Sequence, residues 1–157
     1  MRHRTKTHLL TQEQIDTLFA KAQVGRLGTF SASGFPYVLP IHFVYINDKI
    51  YLHGLPKGEK IDNIKFNSKV CFEVDEMISL LYEGVENPCD VNTEFNSLIV
   101  QGEASIVEDL NEKKYALLEI IKKYAPHLAH QEMPEKMVLG TAVIKIDITK
   151  CVGRYYK

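Results

Sequence analysis

The sequence predicts a mainly β, α+β fold: an antiparallel six-stranded barrel that is closed or nearly closed and carries flanking helices. Six segments have strand-like patterns, most of them joined by connections of hairpin length, whereas helical patterns are few. That order differs from the alternating strands and helices of a doubly wound parallel sheet. No GxGxxG fingerprint and no GxxxxGK(S/T) loop occurs, which excludes the two commonest nucleotide-binding folds.

Length and composition indicate a single domain over residues 1–157, with 45% hydrophobic and 25% charged residues. Lysine and arginine number 19 against 20 acidic residues, which argues against a protein that grips nucleic acid through its phosphates. The basic N-terminal arm, residues 1–10, leads into no apolar segment, so neither a signal peptide nor a membrane anchor is expected. The three cysteines include no CxxC pair, which indicates reduced thiols in a cytoplasmic protein and no metal site.

The first element is a helix that begins after Thr11. Thr11 and Gln14 have the spacing of a capping box, in which each side chain satisfies a backbone N–H of the other residue. The apolar residues that follow at helical spacing are Ile15, Leu18, Phe19 and Ala22. Gly25 is predicted to end the helix as a C-terminal cap.

Residues 26–54 are predicted to form three strands. "SASG" supplies the turn between the first two, and Asn47-Asp48 supplies a tight hairpin between the second and third. Pro36 and Pro40 fall in or beside the second strand. Because proline cannot donate to a sheet ladder, this strand should be bulged or partly unpaired, with free backbone groups near it.

A short helix over residues 58–67 and a fourth strand, "KVCFEVD", follow. Residues 76–94 have little regular pattern and are predicted to be a loop, and a loop of that length in a compact domain is often a lid. Cys89 within it is the only cysteine expected to contact a site.

A fifth strand, "FNSLIVQGEASIVED", contains Gly102 as a predicted bulge. Asp109 should cap a long helix that ends near Ala125, because Pro126 follows. A polar connector leads to the last strand, "TAVIKIDITK", and the chain is expected to end just after it.

The stretch "YLHGLPKGEK", residues 51–60, is a candidate phosphate site. A helix N-terminus offers backbone N–H groups and a favourable dipole to an anion. Gly54 and Gly58 would allow close approach of the backbone, Lys57 and Lys60 would add positive charge, and His53 a further donor. Local chemistry alone also allows an ordinary solvated turn, and this alternative stays open at this level.

Four segments in order carry a resemblance: "GRLGTF", "PYVLPIHFVY", "IYLHGLPKGEKIDNIKFNSKVCFEVD" and "FNSLIVQGEA". Together they resemble the pyridoxamine 5′-phosphate oxidase-like superfamily of flavin-binding split barrels, most closely its 5-nitroimidazole-resistance (Nim) branch. The resemblance extends from about Val24 to Gly102. It implies a split β-barrel that forms a homodimer, with FMN, or alternatively FAD, in a cleft at the subunit interface.

The resemblance also implies site residues. The strand that matches Leu39-Pro40-Ile41-His42 would offer backbone groups to the flavin ring, and Ser97 a polar side chain. The turn from His53-Gly54 to Lys60 would surround the flavin phosphate. Gly58 and Glu59 stand where the oxidases tend to carry a Ser-Arg pair, so Lys57 is a further candidate for the anchoring charge. The implied cofactor-binding residues are Leu39, Pro40, Ile41, His42, His53, Gly54, Lys57, Gly58, Lys60 and Ser97.

His42 and His53 are the candidate catalytic residues. His42 replaces the asparagine of the Nim-like pattern, and His53 occupies the strand-end histidine position of those proteins. An imidazole beside a flavin could donate to a ring atom or relay a proton near neutral pH. The alternative for each is an ordinary hydrogen-bonded polar side chain.

The function implied by the resemblance is an FMN-dependent, nitroreductase-like oxidoreductase that reduces small nitroaromatic substrates. A non-catalytic flavin carrier or sensor is the first alternative. A split barrel that binds heme through His42 or His53 is the second. True pyridoxamine-phosphate oxidase activity is not expected, because no C-terminal segment for the substrate phosphate is recognisable in "CVGRYYK".

Overall fold

A computed structural model describes residues 8–157. Of the predicted N-terminal arm, residues 1–7 lie outside the described part. Leu9 forms a β-bridge with Arg154, and the Leu10 N–H donates to the carbonyl of Gly153 over 3.1 Å. The arm therefore meets the domain beside its last strand.

One antiparallel sheet of seven strands dominates the described chain, in the order β2-β1-β5-β6-β7-β4-β3. The strands are β1 (Gly25–Phe30), β2 (Pro36–Ile41), β3 (Phe43–Ile46), β4 (Lys49–Gly54), β5 (Lys69–Leu81), β6 (Asn92–Ile106) and β7 (Ala142–Tyr156). The mainly β, antiparallel fold is confirmed. The count of six strands is wrong, because the predicted second strand is divided at His42 into β2 and β3.

The sheet is open, because its two edge strands, β2 and β3, do not pair with each other. They are nevertheless consecutive in the chain, with only His42 between them. The sheet must therefore curl until its two edges meet at this residue, which gives the barrel its split.

In the part of the chain that the structure describes, four α-helices flank the sheet: α1 (Gln12–Lys21), α2 (Glu59–Phe66), α3 (Leu110–Tyr124) and α4 (Glu135–Gly140). The Thr11–Gln14 capping box is present at the start of α1. Asp109 caps α3 by accepting the Glu112 N–H over 2.7 Å. Helix α4 was not predicted, because its six residues follow a proline within a polar connector.

Gly25 is not the C-terminal cap of α1. That helix ends at Lys21 with Ala22 as its cap, and Gly25 is the first residue of β1. A Cβ on Gly25 would lie 2.0 Å from Cζ of the buried Phe72. The glycine is therefore needed for packing.

The predicted turns agree with the structure. Gly34 has a φ of 86° in the turn between β1 and β2, while Asn47 and Asp48 have φ values of 50° and 60°. Positive φ at both central residues is typical of the tight turns that match strand twist in a two-residue hairpin. The register between β6 and β7 shifts at Gln101/Gly102, which confirms the bulge.

Three long strands exceed their predicted bounds. β5 continues to Leu81 and β6 begins at Asn92, so the predicted loop of residues 76–94 shortens to a connection of residues 82–91 that includes a 3-10 helix. β7 continues to Tyr156, so "CVGRYY" is strand rather than a tail beyond it. Alternation in these segments is weak because both faces are partly exposed.

The interior contains two apolar clusters. The main cluster fills the curled sheet and includes the fully buried Phe43 and Phe72, with Phe19 of α1 packed over the edge. The second lies on the other face of β3, β4 and β7, where α3 covers Tyr51 and Val143. Burial of each large apolar side chain contributes about 1.5–3 kcal/mol to the stability of the fold. The two clusters therefore stabilise the positions of β2, β3 and β4 around the strand break.

Within residues 8–157, the longest apolar runs in helices fall short of what is needed to span a bilayer.

Candidate functional site

The site is built around the strand break at His42. The imidazole of this exposed residue stacks on the Tyr124 ring of α3, with 4.3 Å between ring centroids and 18° between ring planes. The Tyr124 hydroxyl accepts the Phe43 N–H over 3.0 Å. It also lies 3.0 Å from the Phe43 carbonyl and 2.9 Å from the Gln23 carbonyl, to either of which it can donate. A side chain from a distant helix thus satisfies the free edge of β3 where the ladder is interrupted.

His53 lies near the end of β4, on the face that α3 covers. It has the same parity along the strand as Tyr51, which packs in the cluster beneath that helix. Its side chain is half-buried. Burial lowers the pKa of His53 below its ordinary value, and the charges of His42 and Lys60 lower it further. The imidazole is therefore neutral at pH 7, with one ring nitrogen as donor and the other as acceptor.

Lys60 reaches back from the first turn of α2 to the end of β4. Its Nζ lies 2.9 Å from the position that a Cβ on Gly54 would occupy. A Cβ at position 54 would require only that this flexible side chain move, so the distance locates the ammonium group without requiring a glycine. The arrangement places one positive charge directly on the predicted strand-end turn.

Helix α2 begins next to this ammonium group. Gly58 is its N-cap, with a φ of 113° that favours glycine, and no side chain caps the helix. The Gly58 carbonyl accepts the N–H groups of Ile61 and Asp62. The preceding backbone N–H groups have no side-chain cap and could bind an anion. Lys57, in the turn before the helix, is exposed.

Beside these elements lies a cleft of about 350 Å³ whose lining residues are Val24, Pro40, Ile41, His42 and His53. The predicted phosphate residues Gly54, Lys57, Gly58 and Lys60 are outside its lining and adjoin it at His53. The structure therefore brings together both candidate histidines and two of the predicted backbone contacts. Leu39 packs against the main core, as Ile41 also does, but only Ile41 is among the residues that line the cleft. Sequence reasoning missed Val24 and Tyr124 as members of this site.

The edge position of β2 leaves backbone groups free beside the cleft. Pro36 and Pro40 have the same parity, and β2 pairs only with β1. Proline is tolerated on an edge strand when its nitrogen faces away from the ladder. The carbonyls of Pro36 and Pro40, and both backbone groups of Val38, then face outward, as predicted for a strand with unpaired groups.

Ser97 does not join this cleft within one chain. It pairs with Asp75 of β5 and Arg154 of β7. His53 pairs with Val143, next to the end of β6 at Ile106. Ser97 is nine residues from Ile106, about 30 Å along the strand at about 3.3 Å per residue. Its predicted contact with a ligand at His53 would need a second copy of the chain.

The connection of residues 82–91 carries exposed side chains, including that of Cys89, whose backbone N–H donates to the Asn87 side chain over 3.2 Å. No described contact joins it to the cleft, so its role as a lid stays a prediction. Within residues 8–157, no group of three His, Cys, Asp or Glu side chains could hold a metal ion.

Residues 11–155 match the sequence family described as pyridoxamine 5′-phosphate oxidase. No curated protein is detectably similar in sequence. Among solved structures, a candidate 5-nitroimidazole antibiotic resistance protein from Bacteroides thetaiotaomicron is similar with 26% identity and a TM-score of 0.80, over 94% of this chain and 86% of that one.

Two other solved structures show the same fold at lower identity. The flavocytochrome Anf3 from Azotobacter vinelandii has 18% identity and a TM-score of 0.86, over 100% of this chain and 72% of that one. The FAD and heme binding protein from Mycobacterium smegmatis has 14% identity and a TM-score of 0.83, over 94% of this chain and 72% of that one.

Proposed function

The chain belongs to the pyridoxamine 5′-phosphate oxidase family, and from that premise we propose that it binds FMN in the cleft at His42 and His53. We further propose that it is an oxidoreductase that reduces small nitroaromatic compounds. The observation that carries the proposal is the Lys60 ammonium held over Gly54, beside a helix start without a side-chain cap and next to the cleft.

The strand-end turn beside the cleft fits an anion. Lys60 supplies a compact positive charge, and the first N–H groups of α2 supply oriented donors with the favourable end of the helix dipole. Glu59 is exposed and is the residue that fits worst there, because a carboxylate repels a phosphate. Lys57, exposed in the same turn, is assigned a secondary role in offsetting that charge.

The cleft itself fits a flat polar ring. Ile41 and Val24 supply apolar walls, and the outward backbone groups of β2 supply donors and acceptors to a ring edge. FMN bound here would supply the electron transfer, as cofactors generally do, while the protein positions and tunes it. FAD would use the same contacts. Identifying the flavin that is released when the purified protein is denatured would distinguish FMN from FAD.

His53 is the residue proposed to handle protons. Its lowered pKa keeps the imidazole neutral near pH 7, so it can accept a proton from solvent and donate it to a substrate. His42 is exposed and stacked on Tyr124, so it is held at the mouth of the cleft rather than inside it. We assign His42 to positioning of the ligand and proton exchange with water.

The proposal includes a homodimer in the cytoplasm. Ser97 can meet a ligand at His53 only from a second copy, because the strand register separates them within one chain. The free thiols of Cys71, Cys89 and Cys151 are consistent with a reducing compartment.

The test begins with the absorption spectrum of the purified protein and its uptake of added FMN. Lys60→Glu should weaken FMN binding at least tenfold, because it replaces an attraction to the phosphate with a repulsion. Lys65→Glu is the matched control, since it makes the same charge change on the exposed last turn of the same helix. Equal loss in both variants would remove Lys60 from the site.

Turnover separates the enzyme from its alternatives. A flavin spectrum bleached by NAD(P)H or dithionite and restored by a nitroimidazole supports the enzyme. Bound flavin that no acceptor reoxidises supports a carrier or sensor. A Soret band in place of the flavin spectrum supports heme, and a colourless protein that takes up no FMN overturns the proposal.

A further inference from the structure

A second cavity adjoins the cleft on the far side of His53. It has a volume of about 310 Å³ and lies between α3 and α4, and we call it the α3–α4 pocket. Its lining includes His53 of β4, Ile120 and Ile121 of α3, Met133 before α4, Met137 of α4 and Thr141 at its end. The volume is near the lower end of the range of about 300–1,000 Å³ that is usual for small-molecule sites.

The lining is almost wholly apolar. Only His53 and Thr141 have polar side chains among the lining residues, and the Thr141 hydroxyl already donates to the Met137 carbonyl over 2.8 Å. No lining residue carries a fixed charge, so a charged ligand would lose hydration without compensation. Met133 and Met137 offer flexible thioethers, which make favourable contacts with aromatic rings.

His53 connects this pocket with the cleft. It is the one residue that lines both cavities. A molecule in the α3–α4 pocket therefore reaches the same imidazole that faces the cleft. The half-buried, neutral ring leaves that molecule one hydrogen-bonding group at the boundary between the two cavities.

We infer that the α3–α4 pocket binds the apolar part of the substrate: an uncharged single aromatic ring whose polar substituent points toward His53. Its identification as a substrate pocket rests on the proposed function, because it assumes chemistry in the adjoining cleft. Binding of such a ring to the pocket follows from the lining alone. The side chains of α3 and α4 that line the pocket would then select among substrates.

The methionines provide a direct test. The chain has four, at positions 1, 77, 133 and 137, and of the three among residues 8–157 only Met133 and Met137 line the pocket. Protein labelled with ¹³C-methyl methionine and loaded with flavin is titrated with nitrobenzene. The Met133 and Met137 signals should shift along one saturating curve, while the Met77 signal, from an exposed side chain on β5, stays in place.

Two comparisons sharpen the titration. Benzoate has nearly the shape of nitrobenzene but carries a charge, so it should bind at least tenfold more weakly. Met137→Trp should narrow the pocket and weaken nitrobenzene binding at least tenfold, measured on the Met133 signal. Leu139→Trp is the matched control, because both residues lie on α4 with 65% and 61% exposure and only Met137 lines the pocket.

The result separates this inference from the proposed function. Flavin uptake without selective shifts at Met133 and Met137 overturns the pocket and leaves the flavin proposal intact. Selective shifts in a chain that takes up no flavin support a ring-binding pocket and overturn the flavin proposal. Equal shifts at Met77, benzoate that binds as tightly as nitrobenzene, or equal loss in both tryptophan variants overturn the inference.

Discussion

At the scale of single residues, Tyr124 holds the site together. Its hydroxyl bonds the backbone of Phe43, and its ring supports the His42 imidazole. The interrupted strand therefore depends on a side chain that lies 81 residues away from Phe43 in sequence. The stability of the barrel and the geometry of the cleft therefore both depend on Tyr124.

Tyr124→Phe should lower the free energy of unfolding by about 1–3 kcal/mol. The buried backbone groups of Phe43 lose their partner, and an unsatisfied buried group costs that amount. Urea unfolding followed by circular dichroism measures the change. Tyr115→Phe, on the exposed side of the same helix, should change the unfolding free energy by less than about 0.5 kcal/mol. An equal effect in both variants would contradict a special role for Tyr124.

Lys123 gives a prediction for alkaline pH. Its Nζ lies 3.8 Å from the Phe43 ring centroid and donates to the Phe19 carbonyl over 2.9 Å, and burial lowers the pKa of Lys123 to about 8. In the unfolded chain the lysine pKa is about 10.4, so between these values the unfolded state binds more protons than the folded state. Stability must then rise with pH across this window, and no slope from Lys123 is expected below it.

The comparison is made with Lys123→Met in urea unfolding at pH 7, 8, 9 and 10. The native protein should gain stability relative to this variant above pH 8, by less than the pKa shift alone would give, because the side chain is only half-buried. Lys122→Met, which removes an exposed lysine paired with Glu119, is the control and should leave the slope unchanged. A slope that survives in Lys123→Met would assign it to other groups.

At the scale of elements, the turns and the helix N-caps were predictable because their chemistry is local, whereas the predicted C-cap at Gly25 was wrong. Thr11 with Gln14, Asn47-Asp48 and the Gly102 bulge all occur as their residue types indicated. The division of one strand into β2 and β3 was only half predictable. The prolines indicated unpaired backbone, but the break falls at His42, where the curvature of the whole sheet decides it.

Two glycines of β1 give a matched pair for packing. A Cβ on Gly25 would meet the Phe72 ring at 2.0 Å, whereas the nearest atom to one on Gly28 is the Cys71 carbonyl oxygen, at an ordinary 3.5 Å. Gly25→Ala should therefore lower the free energy of unfolding by about 1–3 kcal/mol or more, since Phe72 is fully buried and has little room to move.

Gly28→Ala should be neutral or stabilise the protein by up to about 1 kcal/mol, because glycine weakens a strand interior. Thermal unfolding of the two variants measures both changes. A tolerated Gly25→Ala would show that the start of β1 can move away from β5, and the close packing inferred for this position would be wrong.

At the scale of the whole molecule, the sequence predicted the strand-helix turn of the site but not the positions of residues that come from distant parts of the chain. His53, Gly54 and Lys60 are near one another in sequence, and the strand-helix turn brings them together. Ser97 and Tyr124 depend on strand register and on helix packing, which no local pattern encodes. The family resemblance could assign a role to Ser97 but could not say which copy of the chain would carry it.

The outer face of the sheet is where a second copy is expected. Leu98 and Val100 are fully buried inside the barrel, so Ser97 and Ile99 lie on the opposite face, where Ile99 is 45% exposed. The pairing of β6 through β5 and β1 to β2 places Val38, which is 63% exposed, on the same face. Exposed apolar side chains on one face favour association, and a twofold axis would bring Ser97 to the cleft of its partner.

Ile99→Asp should shift the protein from dimer to monomer in sedimentation velocity and weaken FMN binding at least tenfold, because a buried carboxylate at the interface is costly. Leu139→Asp, on α4 and away from that face, should leave the oligomeric state and the affinity for FMN unchanged. Since register places Ser97 about 30 Å from His53 along its own strand, only a dimer can unite them. A native chain that sediments as a monomer and still binds FMN tightly would therefore exclude Ser97 from the site.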